Sequence, residues 1–216
     1  MSTVVAWDID GTLLRTGGAG RTALDRAFQD CFGVAGVFGK VDFRGRTDWA
    51  LVAEAFKVAG RVPTEADKQL LRTTYLEFLK DELHTRADRM HVCPGVQEAI
   101  LEVGRLAHTS LLTGNWRAGA RLKLHAANLD LPFEKEGFWG AFGDDGQDRN
   151  ELVPVLRRRA VERGLNVRRV VVIGDTPADV ACARADGAQV VAVATGGCSL
   201  EELRACEPDL LLKDLV

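Results

Sequence analysis

Hydrophobic and polar positions along this chain follow two rhythms. Apolar runs at 4–8, 109–113, 170–173, 189–194 and 209–212 read as strands, and 138–142 reads as a shorter one. Between them, apolar residues fall at helical spacing over 94–106 (with Pro94 in the first turn), 117–127, 151–163 and 178–185. A strand that is apolar along its whole length is covered on both faces, so strands alternating with helices predict an α/β fold with a doubly wound parallel sheet. Ligands of such sheets sit beyond the carboxyl ends of the strands.

The stretch from 20 to 89 breaks that rhythm. It carries three helical patterns, 22–32, 48–59 and 65–83, and no central strand. This reads as an all-helical cap (15–89) inserted into a core made of 1–14 and 90–216, with Gly17 to Gly20 as a flexible hinge at its entry.

A chain of 216 residues suits one α/β domain with such an insertion. The formal net charge of −3 lacks the basic footprint of a nucleic-acid binder, so no nucleic-acid partner is expected. Arg157 to Arg159 read as a solvated helix face, and Arg168 and Arg169 as a strand lead-in. Five cysteines, with no C-x-x-C, suggest no disulfide framework. There is no secretory pattern at the start and no apolar run long enough for a membrane helix. A reduced cytoplasmic compartment without a membrane partner is the expectation.

The candidate chemistry stands at strand ends. Asp8 and Asp10 follow the first strand at i and i+2, which places both side chains on one side, and Gly11 turns the chain. Paired carboxylates there are costly unless a cation neutralises them; a hard cation beside a carboxylate nucleophile performs phosphoryl transfer. Thr113-Gly114-Asn115 ends the second strand, where a hydroxyl and backbone N–H groups hold phosphate oxygens, although Thr-Gly is also an ordinary strand-to-loop step. Gly174-Asp175-Thr176-Pro177-Ala178-Asp179 follows the 170–173 strand. There Asp175 suits a metal ligand supported by Asp179, or else Asp175 or Thr176 caps the helix. Arg149, just before a helix, is the first choice for the fixed cation such a site needs. Lys123 is the second choice, with a solvated helix position as its plainer reading.

The ordered set Asp8-Ile9-Asp10-Gly11-Thr12, Thr113-Gly114-Asn115, Arg149 and Gly174-Asp175-Thr176-x-x-Asp179 resembles the haloacid dehalogenase-like (HAD) hydrolases. The insertion lies where the phosphoglycolate phosphatase-like branch has it. The resemblance implies a Rossmann-like core and a phosphatase for a small phosphate monoester. Asp8 would be the nucleophile that forms an aspartyl-phosphate, and Asp10 the acid and then base. Thr113, Gly114 and Asn115, with Arg149, would hold the phosphate. It further implies Mg2+ on Asp8, the Asp10 carbonyl and Asp175, with Asp179 supporting. A lysine is usual where this chain offers Arg149. Dehalogenases of the family lack an acid at the Asp10 position, because halide needs no protonation.

In the cap, Phe43-Arg44-Gly45-Arg46-Thr47-Asp48 resembles the segment that related phosphatases turn toward the site, so Arg46 is a candidate substrate contact; a helix entry with Asp48 near the capping position explains the same residues. Gly18-Ala19-Gly20-Arg21-Thr22-Ala23 loosely fits a dinucleotide fingerprint but lacks the strand–turn–helix context. The four histidines have no metal spacing. Trp7 and Trp139 fit core positions, and Trp116 fits either packing or the edge of the substrate. The partner expected is a small phosphorylated metabolite. A sugar phosphomutase sharing the phospho-aspartate is the alternative. A phospho-accepting receiver module would need an aspartate at the tip of a middle strand, where this chain has Thr113.

Overall fold

The structure, a computed structural model, describes residues 2–216. In chain order its elements are β1 (Ser2–Trp7), β2 (Leu14–Arg15), α1 (Ala19–Phe32), α2 (Asp48–Val58), α3 (Glu65–Thr85), β3 (His91–Val92), α4 (Val96–Leu106), β4 (His108–Leu112), α5 (Arg117–Ala126), α6 (Asp130–Lys135), β5 (Gly140–Ala141), α7 (Leu152–Glu162), β6 (Val167–Gly174), α8 (Pro177–Ala185), β7 (Gln189–Val193), α9 (Leu200–Arg204) and β8 (Leu210–Leu212). Six strands form one sheet in the order β5-β4-β1-β6-β7-β8, and every pair is parallel. This is the doubly wound α/β architecture that the apolar runs predict.

The pleat sorts the strand residues between two cores. Val4 and Ala6 of β1 pack with Val170, Val172, Val190 and helices α7 and α8 on one face. Val5 and Trp7 pack with Leu111, Ile173, Val193 and helix α4 on the other. With the middles of β1 and β6 covered on both faces, Asp8 and Asp175 emerge where the two strands end, at their carboxyl tips.

Between β2 and β3 the chain forms a third apolar cluster of its own. Leu24 and Phe28 of α1 meet Leu51 and Phe56 of α2 and Leu71, Tyr75 and Leu79 of α3. β2 and β3 pair antiparallel, Leu14 with Val92 and Arg15 with His91, so the outgoing and returning segments form a two-residue neck.

Several details depart from the sequence reading. α1 starts at Ala19, capped by Gly18 in the left-handed region (φ 85°), so the glycine run is in part the helix entry rather than a slack hinge. Pro94 precedes the first turn of α4, whose N-cap is Gly95. The 138–142 strand shrinks to two residues. The ribbon β2–β3 and the short helices α6 and α9 were not anticipated, being too brief to express a period.

Candidate active site

β1 ends at Trp7, and Asp8 follows with its N–H donated to the Ile173 carbonyl at 2.9 Å, which ties the tip of β1 to that of β6. Asp175 leaves β6 beside it and accepts a hydrogen bond from Thr12 Oγ1 at 3.2 Å. Two glycines make room for that carboxylate. A Cβ on Gly11 or Gly196 would overlap it, and Gly11 also needs its positive φ of 89° for the turn. Asp179 stands in the first turn of α8, where it and Thr176 form a reciprocal capping box. One carboxylate oxygen each from Asp8, Asp175 and Asp179 lies within 4.8 Å of the others.

Arg149, in a single 3-10 turn ahead of α7, reaches this cluster from below. Its Nη2 pairs with Asp8 Oδ1 at 3.0 Å and also bonds Asp179 Oδ1. All four side chains are buried. Burial pushes the Asp8 carboxyl up to about 7 even though Arg149 pulls it down. Burial, reinforced by the charges of Asp179 and Asp8, lifts Asp175 to about 8. One arginine thus faces three carboxylates, a donor set suited to a hard divalent cation. Asp179 is already engaged through both oxygens, Oδ1 by Arg149 and Oδ2 by Thr176, which leaves Asp8 and Asp175 as the open donors.

Asp10, two residues on, lies in the same cleft but in another environment. Its side chain is 44% exposed, and Oδ2 accepts from Lys123 Nζ at 2.5 Å and from Asn115 Nδ2 at 2.7 Å. Asn115 Oδ1 in turn accepts from Lys123, closing a triangle. Thr113 Oγ1 accepts from Asn115 Nδ2 at 2.9 Å. The loop after β4 is pressed against the helical segment: the Asp48 N–H donates to the Gly114 carbonyl at 2.7 Å, Asp48 Oδ2 accepts from the Trp116 N–H at 2.7 Å, and Thr47 Oγ1 donates to the Gln147 carbonyl at 2.7 Å. A Cβ on Gly114 would run into the Arg46 carbonyl.

A cleft of about 390 Å³ joins these groups. Asp8, Asp10, Thr113, Gly114, Asn115, Arg149 and Asp175 line it, with Arg46, Leu51 and Tyr75 from the helical side.

Comparison with known proteins now bears on this geometry. Residues 150–216 match the family model described as HAD-hydrolase-like. The matched stretch, which carries Asp175 and Asp179, is similar to the HAD-like hydrolases. Solved structures share the fold over nearly their full lengths. A hydrolase from Pseudomonas syringae is 19% identical with a TM-score of 0.73, covering 100% of this chain and 94% of that one. CbbY from Rhodobacter sphaeroides in complex with phosphate is 16% identical at TM-score 0.74, covering 100% and 95%. A predicted phosphoglycolate phosphatase from Haemophilus somnus is 16% identical at 0.72, covering 99% and 95%. No curated protein matches the chain in sequence.

Within this site, one expectation needs correction and three are resolved. Lys123 is not a solvated helix residue; it is 4% exposed and bonded to Asp10, while Arg149 is the cation on Asp8. Asp48 stands beside the capping position of α2, as expected. Thr47 caps, accepting from the Ala50 N–H, and Asp48 is buried against Trp116. Trp116 is fully buried between Trp49 and Tyr75, so packing accounts for it. Arg46 reaches the cleft, but its guanidinium donates to the Ala50 carbonyl at 3.1 Å and so braces the first turn of α2. The sequence reading assigns no site role to Thr12, which bonds Asp175, or to Asp48, which bonds the Trp116 N–H. Among the described residues, no helix is long and apolar enough to cross a membrane.

Proposed function

We propose that the protein is a magnesium-dependent phosphatase that hydrolyses a small phosphate monoester through an aspartyl-phosphate on Asp8. One observation carries this reading: a buried carboxylate pinned by Arg149 shares a cleft with a second carboxylate, two residues on, that keeps one oxygen unbonded. Arg149 holds Asp8 Oδ1 and no donor among the described residues reaches Oδ2, so Oδ2 is the attacking atom. As the new O–P bond forms, the ester P–O bond breaks and Asp10 Oδ1 gives its proton to the departing oxygen. Water then attacks phosphorus, Asp10 takes a proton back, and the Asp8–phosphate bond breaks.

Asp8, the Asp10 carbonyl and Asp175 would hold the Mg2+, whose charge offsets that of the phosphoryl oxygens. Asp179 acts one step back, by holding Arg149. Thr113 and Gly114 line the cleft, and the Thr113 hydroxyl and the Gly114 N–H would serve as the phosphate donors. Asn115, occupied by Asp10 and Lys123, serves the acid rather than the phosphate. Residues 15–89 act as the cap that closes over the substrate and excludes water, with Thr47 and Asp48 as its docking points. The partner is a small phosphorylated metabolite, in the cytoplasm.

The test is phosphate release from p-nitrophenyl phosphate with and without Mg2+. Wild type is expected to turn over only with metal, and Asp8→Asn to fall to background with an unchanged fold by circular dichroism. Retained turnover in Asp8→Asn overturns the nucleophile. Isomer formation from a sugar phosphate without net phosphate release would replace hydrolysis by the mutase reading.

A further inference from the structure

Both donors that reach Asp10 meet the same oxygen. Lys123 Nζ and Asn115 Nδ2 both donate to Oδ2, and among the described residues no group bonds Oδ1. We propose that Lys123 is a positioning residue which, with Asn115, fixes Asp10 Oδ2 and thereby presents Oδ1 to the leaving oxygen of the substrate. The proposal rests on the phosphatase reading above.

A lysine this deeply buried gives up most of its hydration, which is unfavourable unless partners replace the water. The partners here are only Asp10 and Asn115. Because Lys123 also bonds Asn115 Oδ1, the three side chains form a closed ring, and turning the Asp10 carboxylate breaks two hydrogen bonds at once. Helix α1 passes close to the ammonium at Gly20, where an added Cβ would lie 3.5 Å from Nζ, so the helix packs on the ring from that side. Arg149 already serves Asp8, so the two cations divide the two carboxylates between them. The Asp10 acid must therefore work through one oxygen only, and in the acid step the proton leaves from that oxygen.

A residue acting through the acid matters in proportion to how much the leaving group needs a proton. For p-nitrophenyl phosphate the leaving phenolate departs unaided; for an alkyl phosphate it does not. The measurement is kcat/KM for p-nitrophenyl phosphate and for the fastest ester in a series of glycolate, glycerol and hexose phosphates. Lys123→Met is expected to lower the alkyl value roughly 10²-fold while the aryl value stays within about tenfold. The double variant Lys123→Met/Asp10→Asn should be no slower on the alkyl ester than Asp10→Asn alone. Should Lys123→Met fail to fold, Asn115→Leu removes the other donor and should show the same split. Equal losses on both esters, additive losses in the double variant, or a wild type inert toward every alkyl ester would overturn the proposal. A wild type inert toward both ester types would instead overturn the phosphatase reading itself.

Discussion

The two ends of the cleft are built by different rules. At the phosphoryl end, Asp8 and Asp175 stand at the tips of neighbouring strands, with Asp179 and Arg149 in the first turns of the helices beside them. Nothing at that end comes from residues 15–89, and all four groups are buried. At the other end, Asp10 is half-exposed and its cation comes from the body of α5, while the walls are Leu51 and Tyr75 of α2 and α3. The four groups of the first end are held by the sheet and the turns beside it. The other end is completed by docking of the helical segment, so in the proposed reaction selection of the leaving group belongs there.

The largest expected effect breaks this comparison at its fixed end. Arg149→Ala would leave Asp8 and Asp179 buried without their cation, a loss of about 3–5 kcal/mol. Lys123→Met strands Asp10, whose exposed carboxylate regains water, and the neutral Asn115 Oδ1, so about 1–2 kcal/mol is expected. Urea unfolding of both variants in chelator would read the difference. A Lys123 variant less stable than the Arg149 variant would reverse the assignment of the two ends.

Metal is the next lever. Asp8 rises to about 7 and Asp175 to about 8 in the fold, against 3.8 as their ordinary value. Between about pH 4 and pH 8 the unfolded chain therefore binds fewer protons than the native one, and metal-free stability falls as pH rises. Magnesium competes with those protons, so the rise in Tm on adding Mg2+ should be greater at pH 8 than at pH 6. Asp175→Asn should remove most of that rise. An equal Mg2+ shift at both pH values would separate the metal from this carboxylate pair.

The same contrast governs what was legible in the sequence. Strand tips are local: an apolar run, two carboxylates at i and i+2 and a glycine turn are contiguous in the chain, and the second acidic turn repeats the pattern after β6. The sheet and the phosphoryl end could therefore be read directly. Lys123 is different, because its partner Asp10 is 113 residues away. One signal did exist: Gly119, Ala120, Lys123 and Leu124 form the buried stripe of α5, so the helical period itself places the lysine inward. Asp48 offered no such signal, because its partner is a backbone N–H 68 residues away and only tertiary docking buries it. Nor did the neck, where two-residue strands 14–15 and 91–92 are too short to show alternation.

Asp48 sharpens the comparison from the helical side. Burial lifts its carboxyl to about 7, opposed by Lys123 and by the Trp116 N–H. Its charged form is therefore the less stable one in the fold, and its contribution fades as pH rises from about 4 through 7. Asp48→Asn keeps an acceptor for the Trp116 N–H but has no charge to bury. In chelator, the variant should gain stability over wild type at pH 8 and little at pH 4, read as the Tm difference between the two. A gap that shrinks toward high pH would mean that Lys123 holds Asp48 ionised.

The smallest test uses the same motif at both ends. Thr64 and Asp67 form a capping box at the start of α3, and Thr176 and Asp179 form one at the start of α8. Removing either hydroxyl should cost about 1 kcal/mol of stability. The consequences for turnover should differ. Thr64→Ala frees only an exposed Asp67, which is not part of the cleft lining, and turnover should be unchanged. Thr176→Ala removes a hydrogen bond from Asp179 Oδ2, on the carboxylate whose other oxygen holds Arg149 against Asp8. Loss of turnover in the Thr176 variant at matched stability would show that the α8 box positions Arg149 as well as starting a helix. Equal turnover in the two variants would reduce it to a helix start.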